Sequence, residues 1–80
     1  MTNTEYLEIF ETEQLTRSPV VRLLEEQVRV LIKLSNVFAR SGESNISSYC
    51  NQKIEETKWE AICIAEYEKK NGMIKLFGGD

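Results

Sequence analysis

The chain has 80 residues, of which 41% are apolar and 29% charged, and its net charge is −3. This composition excludes a disordered chain, and the length predicts one folded domain, residues 1–80. Its acidity excludes non-specific binding to duplex nucleic acid, and no stretch reaches the roughly 20 apolar residues of a membrane span. At this size a single core gives little net stability, so assembly with other chains is expected.

A short first helix is predicted over about residues 4–14. Thr4 can cap its start, and Tyr6 and Phe10 lie on its apolar side. A helix this short needs to dock through these two rings in order to persist in water.

The clearest boundary in the chain is Ser18 followed by Pro19. Serine accepts hydrogen bonds from the first free amides of a helix, and proline at the first helical position loses no bond. A second helix is therefore predicted over about residues 19–40. It is expected to stop before Gly42, which permits a left-handed closing residue, with Arg40 offsetting the negative helix end.

The second helix has an unusually wide apolar face. Its charged side chains and Asn36 fall within roughly 100° of the circumference, and roughly 220° is left to the apolar residues, with Gln27 among them. A surface helix usually shows one apolar stripe of about 100° or somewhat more, so this face predicts burial against two partners. One is the rest of the chain, and the other is a second copy or a different protein.

A third helix is predicted over about residues 45–70, capped by Ser44 or Asn45 and closed at Gly72. The link between the two long helices is short, which favours an antiparallel hairpin. The apolar tail 73–77 is expected to pack against the fold. These elements predict an all-α fold: a short N-terminal helix, then a long antiparallel helical hairpin, packed into a symmetric oligomer.

The interface of that oligomer, or of a partner complex, is assigned mainly to the apolar arc of the second helix. Gln27 lies near the centre of this arc, where it either bonds its symmetry mate and fixes the register or reaches solvent at the edge. The candidate interface residues are Leu24, Gln27, Val28, Leu31, Phe38 and Trp59.

The polar strip of the second helix carries the best candidate ligand residues. Its cations repeat at seven, four and seven residues, so they form one line that could bind phosphate. The competing interpretation is a solvated stripe, partly neutralised by nearby glutamates. Aromatic rings of the first helix could stack on a base, although such rings more often belong to a core. The candidate ligand-binding residues are Arg22, Arg29, Lys33, Arg40, Tyr6 and Phe10.

Little in the sequence supports catalysis or metal binding. With no His and only Cys50 and Cys63, the chain lacks the ligands of a tetrahedral zinc site. No phosphate loop or nucleophile motif is present, and glutamates such as Glu68 alternate with lysines such as Lys58 as on a solvated helix face. We therefore expect no enzymatic activity and no cofactor, and free thiols as in a reducing cytoplasm.

The segment from Trp59 to Leu76 resembles the closing helix of the phage anti-CBASS cyclic-nucleotide sponges. The resemblance rests on Trp59-Glu60-Ala61-Ile62 and Ile64-Ala65, and six residues later on Gly72-Met73-Ile74 and Leu76. That family has an α-helical hairpin preceded by a short N-terminal element. The resemblance implies a phage protein that forms a symmetric oligomer in the host cytoplasm and sequesters cyclic nucleotide signals without cleaving them. It assigns no ligand residue.

Three functions are compatible with these patterns. The first is a non-enzymatic oligomer that sequesters a small cyclic nucleotide, a phage anti-defence role. The second is an inhibitor or adaptor that docks a host protein through the apolar face of the second helix. The third is a structural subunit of a phage or mobile-element assembly.

Overall fold

The computed structural model describes residues 1–72, and within that range it contains three α-helices and no strand. They are α1 (Asn3–Thr12), α2 (Pro19–Arg40) and α3 (Ser44–Asn71). The long helices α2 and α3 pack side by side as an antiparallel hairpin, as predicted. None of these helices combines the length and apolarity that crossing a membrane requires. The expected packing of the tail 73–77 falls outside the described residues.

α2 begins and ends at the predicted residues because local interactions fix both boundaries. The Ser18 hydroxyl accepts a hydrogen bond from the Val21 amide at 3.3 Å, and proline occupies the first turn. At the other end Gly42 has a φ of +78°, and the Glu43 amide donates to the Phe38 carbonyl at 2.8 Å. This left-handed closing turn satisfies carbonyls of the last turn and directs the chain into α3.

α1 starts earlier than predicted, because Thr2 and not Thr4 caps it. The Thr2 hydroxyl accepts from the amide three residues later at 3.1 Å, and Thr4 lies inside the helix. Beyond the other end, Gln14 has a left-handed φ of +54°. The Leu15 amide donates to the Phe10 carbonyl at 3.1 Å, so α1 closes with the same kind of turn as α2 but without a glycine.

α3 begins without the predicted side-chain cap. Glu43 precedes it and makes no capping bond, whereas Ser44 and Asn45 are already helical. The tight turn that closes α2 makes Glu43 the residue before α3, and its carbonyl accepts the first helical hydrogen bond from the Ser47 amide at 3.0 Å. The C-terminal end of α3 agrees with the prediction, with Gly72 at a φ of +66°.

The main core lies where α1 packs against the first half of α2 and the second half of α3. Tyr6 and Phe10 meet edge to face with ring centroids 5.0 Å apart, which confirms that α1 docks through these rings. Val21, Ala61 and Ala65 have no exposed surface. The buried members of this core are Tyr6, Phe10, Leu15, Val21, Leu24, Ala61, Ile62 and Ala65.

Toward the closed end of the hairpin, the contact between α2 and α3 is polar. The buried Ser35 hydroxyl donates to the Asn51 side-chain oxygen at 2.7 Å, and the Ser47 hydroxyl donates to the Ser35 carbonyl at 3.2 Å. Small hydroxyl side chains allow the two helices to approach closely, and their buried oxygens are satisfied across the contact. This cluster fixes the register of the hairpin far from α1.

The prediction that the charged residues of α3 all belong to a solvated face is wrong for Lys58 and Glu68, which are 4% and 3% exposed. Both fall on the side of α3 that meets the other helices. Lys58 Nζ donates to the Met1 carbonyl at 3.2 Å and lies 3.6 Å from Glu55 Oε1. These contacts show that a buried lysine can be accommodated when neighbouring oxygens replace its water.

Candidate functional site

An open depression of about 490 Å³ lies along the N-terminal half of α2, lined by three arginines and two glutamates among its residues. Of the predicted ligand residues, the structure brings Arg22 and Arg29 together here. We call this depression the arginine groove. It is lined by Arg17, Pro19, Arg22, Leu23, Glu25, Glu26 and Arg29.

The guanidinium groups of the arginine groove differ in how firmly they are held. Arg17 Nε donates to Glu25 Oε1 at 2.6 Å, and its guanidinium lies 4.4 Å from the centre of the Phe10 ring. Arg29 donates to the Glu26 carboxylate. Arg22 is exposed and makes no ion pair within residues 1–72. The groove thus holds partly preorganised cations and one cation that is free to engage an anion.

Arg17 is a groove residue that sequence reasoning did not select. It precedes the Ser18 cap and therefore stands outside the periodic pattern of α2, which was the only signal used to choose cations. The contact with Glu25 brings it back to the helix surface. A basic residue just before a helix cap, with an acid one to two turns inside the helix, is the pattern that could have indicated it.

The predicted aromatic ligand contacts are corrected by the structure. Phe10 is 2% exposed within the core, and the Arg17 guanidinium lies over its ring, so the ring is not accessible for stacking on a base. Tyr6 is 7% exposed, and its hydroxyl donates to Glu25 Oε1 at 3.2 Å. Burial, followed by the nearby Glu25 charge, raises the pKa of the Tyr6 hydroxyl well above its ordinary value. Both rings serve the docking of α1.

The remaining predicted cations, Lys33 and Arg40, are exposed but do not line the arginine groove of their own chain. With a helical rise of about 1.5 Å per residue, Lys33 lies roughly 16 Å along α2 from Arg22, and Arg40 lies roughly 27 Å from it. The line of cations is therefore too long for one small molecule on a single subunit.

The predicted interface residues separate into two groups. Leu24 and Val28 are 9% and 8% exposed, so their assignment to an intermolecular interface is corrected: the fold of one chain already buries them. Leu31 and Phe38 are half-buried at the edge of that contact, and Gln27 is exposed. The apolar arc is thus divided between an internal face and an external one.

Trp59 is 53% exposed but does not share a face with Gln27. It lies one helical turn after Glu55, whose carboxylate accepts from the amino group of Met1 at 2.6 Å. Trp59 therefore sits on the side of the hairpin where α1 begins. On α2, the Tyr6 hydroxyl of α1 donates to Glu25, which lies roughly 160° around the helix from Gln27.

The external face of α2 is a mostly apolar row of residues, of which the sequence-based interface included only Gln27. Leu23 is 65% exposed, and Val30 and Val37 are each 54% exposed. Next to Leu23 and Val30 lies a depression of about 500 Å³. We call this row the open seam; it consists of Val20, Leu23, Gln27, Val30, Leu34 and Val37.

No group of acidic, Cys or His side chains within residues 1–72 is arranged to hold a metal ion. Cys50 is buried and Cys63 is exposed, and both are free thiols. No family model matches the chain, and no curated protein or solved structure matches it at a significant level.

Proposed function

We propose that the protein is a non-enzymatic binder that sequesters a phosphate-bearing cyclic nucleotide, working as a homo-oligomer. The observation that carries the proposal is the arginine groove, where Arg17, Arg22 and Arg29 outnumber Glu25 and Glu26 in the lining of an open depression of about 490 Å³. Guanidinium groups bind phosphate oxygens through paired hydrogen bonds, and such charge-assisted bonds are among the strongest in proteins.

Two properties of the groove favour binding of an intact ligand. Arg17 is already held by Glu25, so a ligand meets one oriented donor and loses less conformational entropy in ordering it. Among the described residues, no nucleophile paired with a base lines the groove, which favours retention of the ligand over its chemical conversion. The resemblance of Trp59 to Leu76 to the anti-CBASS sponges supports a cyclic nucleotide as the ligand and an anti-defence role.

The test is isothermal titration calorimetry of the full chain with a panel of cyclic di- and trinucleotides. We expect saturable binding, with the ligand recovered unchanged by chromatography, and a loss of roughly tenfold or more in affinity for Arg22→Ala, the size expected for one charge-assisted contact. Lys70→Ala is the matched control, because it removes one exposed cation that does not line the groove. No binding across the panel, or equal affinity in Arg22→Ala and wild type, contradicts the proposal.

A second candidate function is favoured by a different observation, the exposed apolar residues of the open seam. An inhibitor or adaptor would place this face in the groove of a larger protein, in the way that amphipathic helices commonly bind. Under that hypothesis the purified chain stays monomeric and binds no nucleotide, so the same titration together with light scattering separates the two functions.

A further inference from the structure

The open seam has the spacing of a coiled-coil interface. Its members follow one another at alternating intervals of three and four residues from Val20 to Val37, which is the 3.5-residue period of packed helix pairs. The seam stays on one side of α2 over that length, and its central members Leu23, Gln27 and Val30 are exposed. An isolated chain leaves this apolar row in water, which favours a partner with a matching row.

The two flanks of the open seam differ in character. On one flank, Leu24, Leu31 and Phe38 turn toward α3 and are buried or half-buried. On the other flank, Glu26, Lys33 and Arg40 recur at intervals of seven residues and are exposed. Charged residues in these flanking positions set the partner and the orientation of helix pairs.

We propose that the open seam binds the open seam of a second copy, with the two α2 helices antiparallel about a two-fold axis between Gln27 and Val30. In this register Leu23 packs near the partner's Leu34, and Glu26 lies beside the partner's Lys33. The symmetry repeats this charge pair on the other side of the axis. Two-fold symmetry is also the commonest arrangement in which a surface patch binds the same patch on a second copy.

The charges select the antiparallel arrangement over the parallel one. In a parallel pair, the flank that carries Glu26 meets the opposite flank of the second helix, so Glu26 faces the partner's Leu31 and Lys33 faces the partner's Phe38. No charge pair forms in that case, and both charges lie against apolar surface. In the antiparallel pair the charged flanks meet each other, and opposite charges face each other twice.

The same register changes the arginine groove, an inference that rests on the proposed function. Glu26 and Pro19 line the rim of that groove. The antiparallel pair places the partner's Lys33 beside Glu26 and the partner's Arg40 beside Pro19. Each of the two symmetric grooves therefore receives Arg22 and Arg29 from one copy, together with the partner's Lys33 and the partner's Arg40. The second copy completes a set of four cations that lie too far apart on one chain.

The decisive experiment exchanges the charges and measures the molar mass by analytical ultracentrifugation across a range of concentrations. We expect a wild-type dimer, and a dimer weakened roughly tenfold in Glu26→Lys alone and in Lys33→Glu alone, since each change replaces two attractive pairs with two repulsive ones. An equimolar mixture of the two variants restores the dimer, because each interface then pairs acidic with basic side chains. Circular dichroism of each variant establishes that these exposed positions leave the fold intact.

Three outcomes overturn the proposal. A wild-type chain that stays monomeric at high concentration shows that the open seam belongs to a different protein. A dimer that the mixture does not restore shows that Glu26 and Lys33 do not face each other. A mass that keeps growing with concentration shows an open assembly in place of a closed pair.

A matched pair of substitutions separates the dimer from the ligand. Val30→Glu places a charge at the centre of the open seam and outside the arginine groove, so we expect a folded monomer. Leu7→Glu makes the same kind of change on α1, where the side chain is 48% exposed, and should remain dimeric. Nucleotide titration of the Val30→Glu monomer then tests the shared groove: weakened binding supports partner cations in the site, and unchanged binding rejects them while leaving the dimer itself supported.

Discussion

The two apolar faces of α2 are built from the same residue types but lie in opposite environments. Val21 and Leu24 are buried against α1 and α3, whereas their neighbours Val20 and Leu23 are 36% and 65% exposed. The difference arises from the neighbours, because the short helix α1 can fill only one of the two grooves of the hairpin. The width of the apolar face of α2 therefore indicates that two neighbours are needed to bury it. The rest of this chain is large enough to cover only one part of that face.

The adjacent leucines of α2 give the largest test of this comparison. Leu24→Ala removes buried contacts and leaves a cavity, so we expect it to lower the free energy of unfolding of the monomer by about 2 to 4 kcal/mol. Leu23→Ala should change the monomer by no more than about 0.5 kcal/mol and weaken self-association instead. Urea unfolding at low protein concentration and sedimentation measure the two effects. Equal losses of stability would show that the two faces are not distinct.

The second test lies at the polar contact near the closed end of the hairpin. Ser35→Ala removes the donor to the Asn51 oxygen in a buried setting, and we expect a loss of about 1 to 2 kcal/mol. The neighbouring change Asn36→Ala is the control, because this exposed side chain should contribute less than about 0.5 kcal/mol. Thermal unfolding of both variants measures the difference. A neutral Ser35→Ala would mean that the register of the hairpin depends on apolar contacts alone.

Sequence reasoning identified the elements of this fold where the signals are local. The bounds of α2 follow from Ser18 and Gly42, because capping and left-handed closure involve only neighbouring residues. The caps of α1 and α3 were missed, since Thr2 competes with Thr4 at the start of α1 and the turn that closes α2 places Glu43 before α3 with no side-chain cap. The burial of Lys58 was missed because periodicity describes a helix face, and only packing shows what covers it.

The candidate site was predictable only in part. The cationic strip of α2 follows from spacing, and so does the excess width of its apolar face. Which part of that face remains open depends on the side from which α1 approaches, and no pattern within α2 encodes that choice. As a result Leu24 and Val28 were assigned outward although the chain buries them, and Arg17 was passed over because it reaches the groove through a contact outside the helix.

The third test probes the edge of the covered face, where Tyr6 of α1 bonds Glu25 of α2. We expect Tyr6→Phe to cost about 1 kcal/mol at pH 7, because the donor to a charged acceptor is lost. Since folding raises the pKa of the Tyr6 hydroxyl above its ordinary value of 10.0, its stabilisation is fully present below that pH and declines as the pH rises beyond it.

Urea unfolding of wild type and Tyr6→Phe between pH 7 and 11.5 checks this sign. The difference in free energy of unfolding between wild type and Tyr6→Phe should shrink as the pH rises above about 10. Parallel curves over the whole range would show that the Tyr6 hydroxyl does not couple to folding and that Glu25 is held by Arg17 alone.

The smallest expected effect comes from a substitution at the end of α1 that stabilises the fold and leaves the open seam unchanged. Gln14 adopts a left-handed φ of +54° at the end of α1, where the equivalent residue after α2 is Gly42. Glycine occupies this region without the steric penalty of a side chain, so Gln14→Gly should raise the free energy of unfolding by about 0.5 to 1 kcal/mol. Thermal unfolding measures the gain. Sedimentation should show unchanged self-association, because α1 lies on the opposite side of the hairpin from the open seam; a shift in dimer affinity would instead mean that α1 and the open seam are coupled through α2.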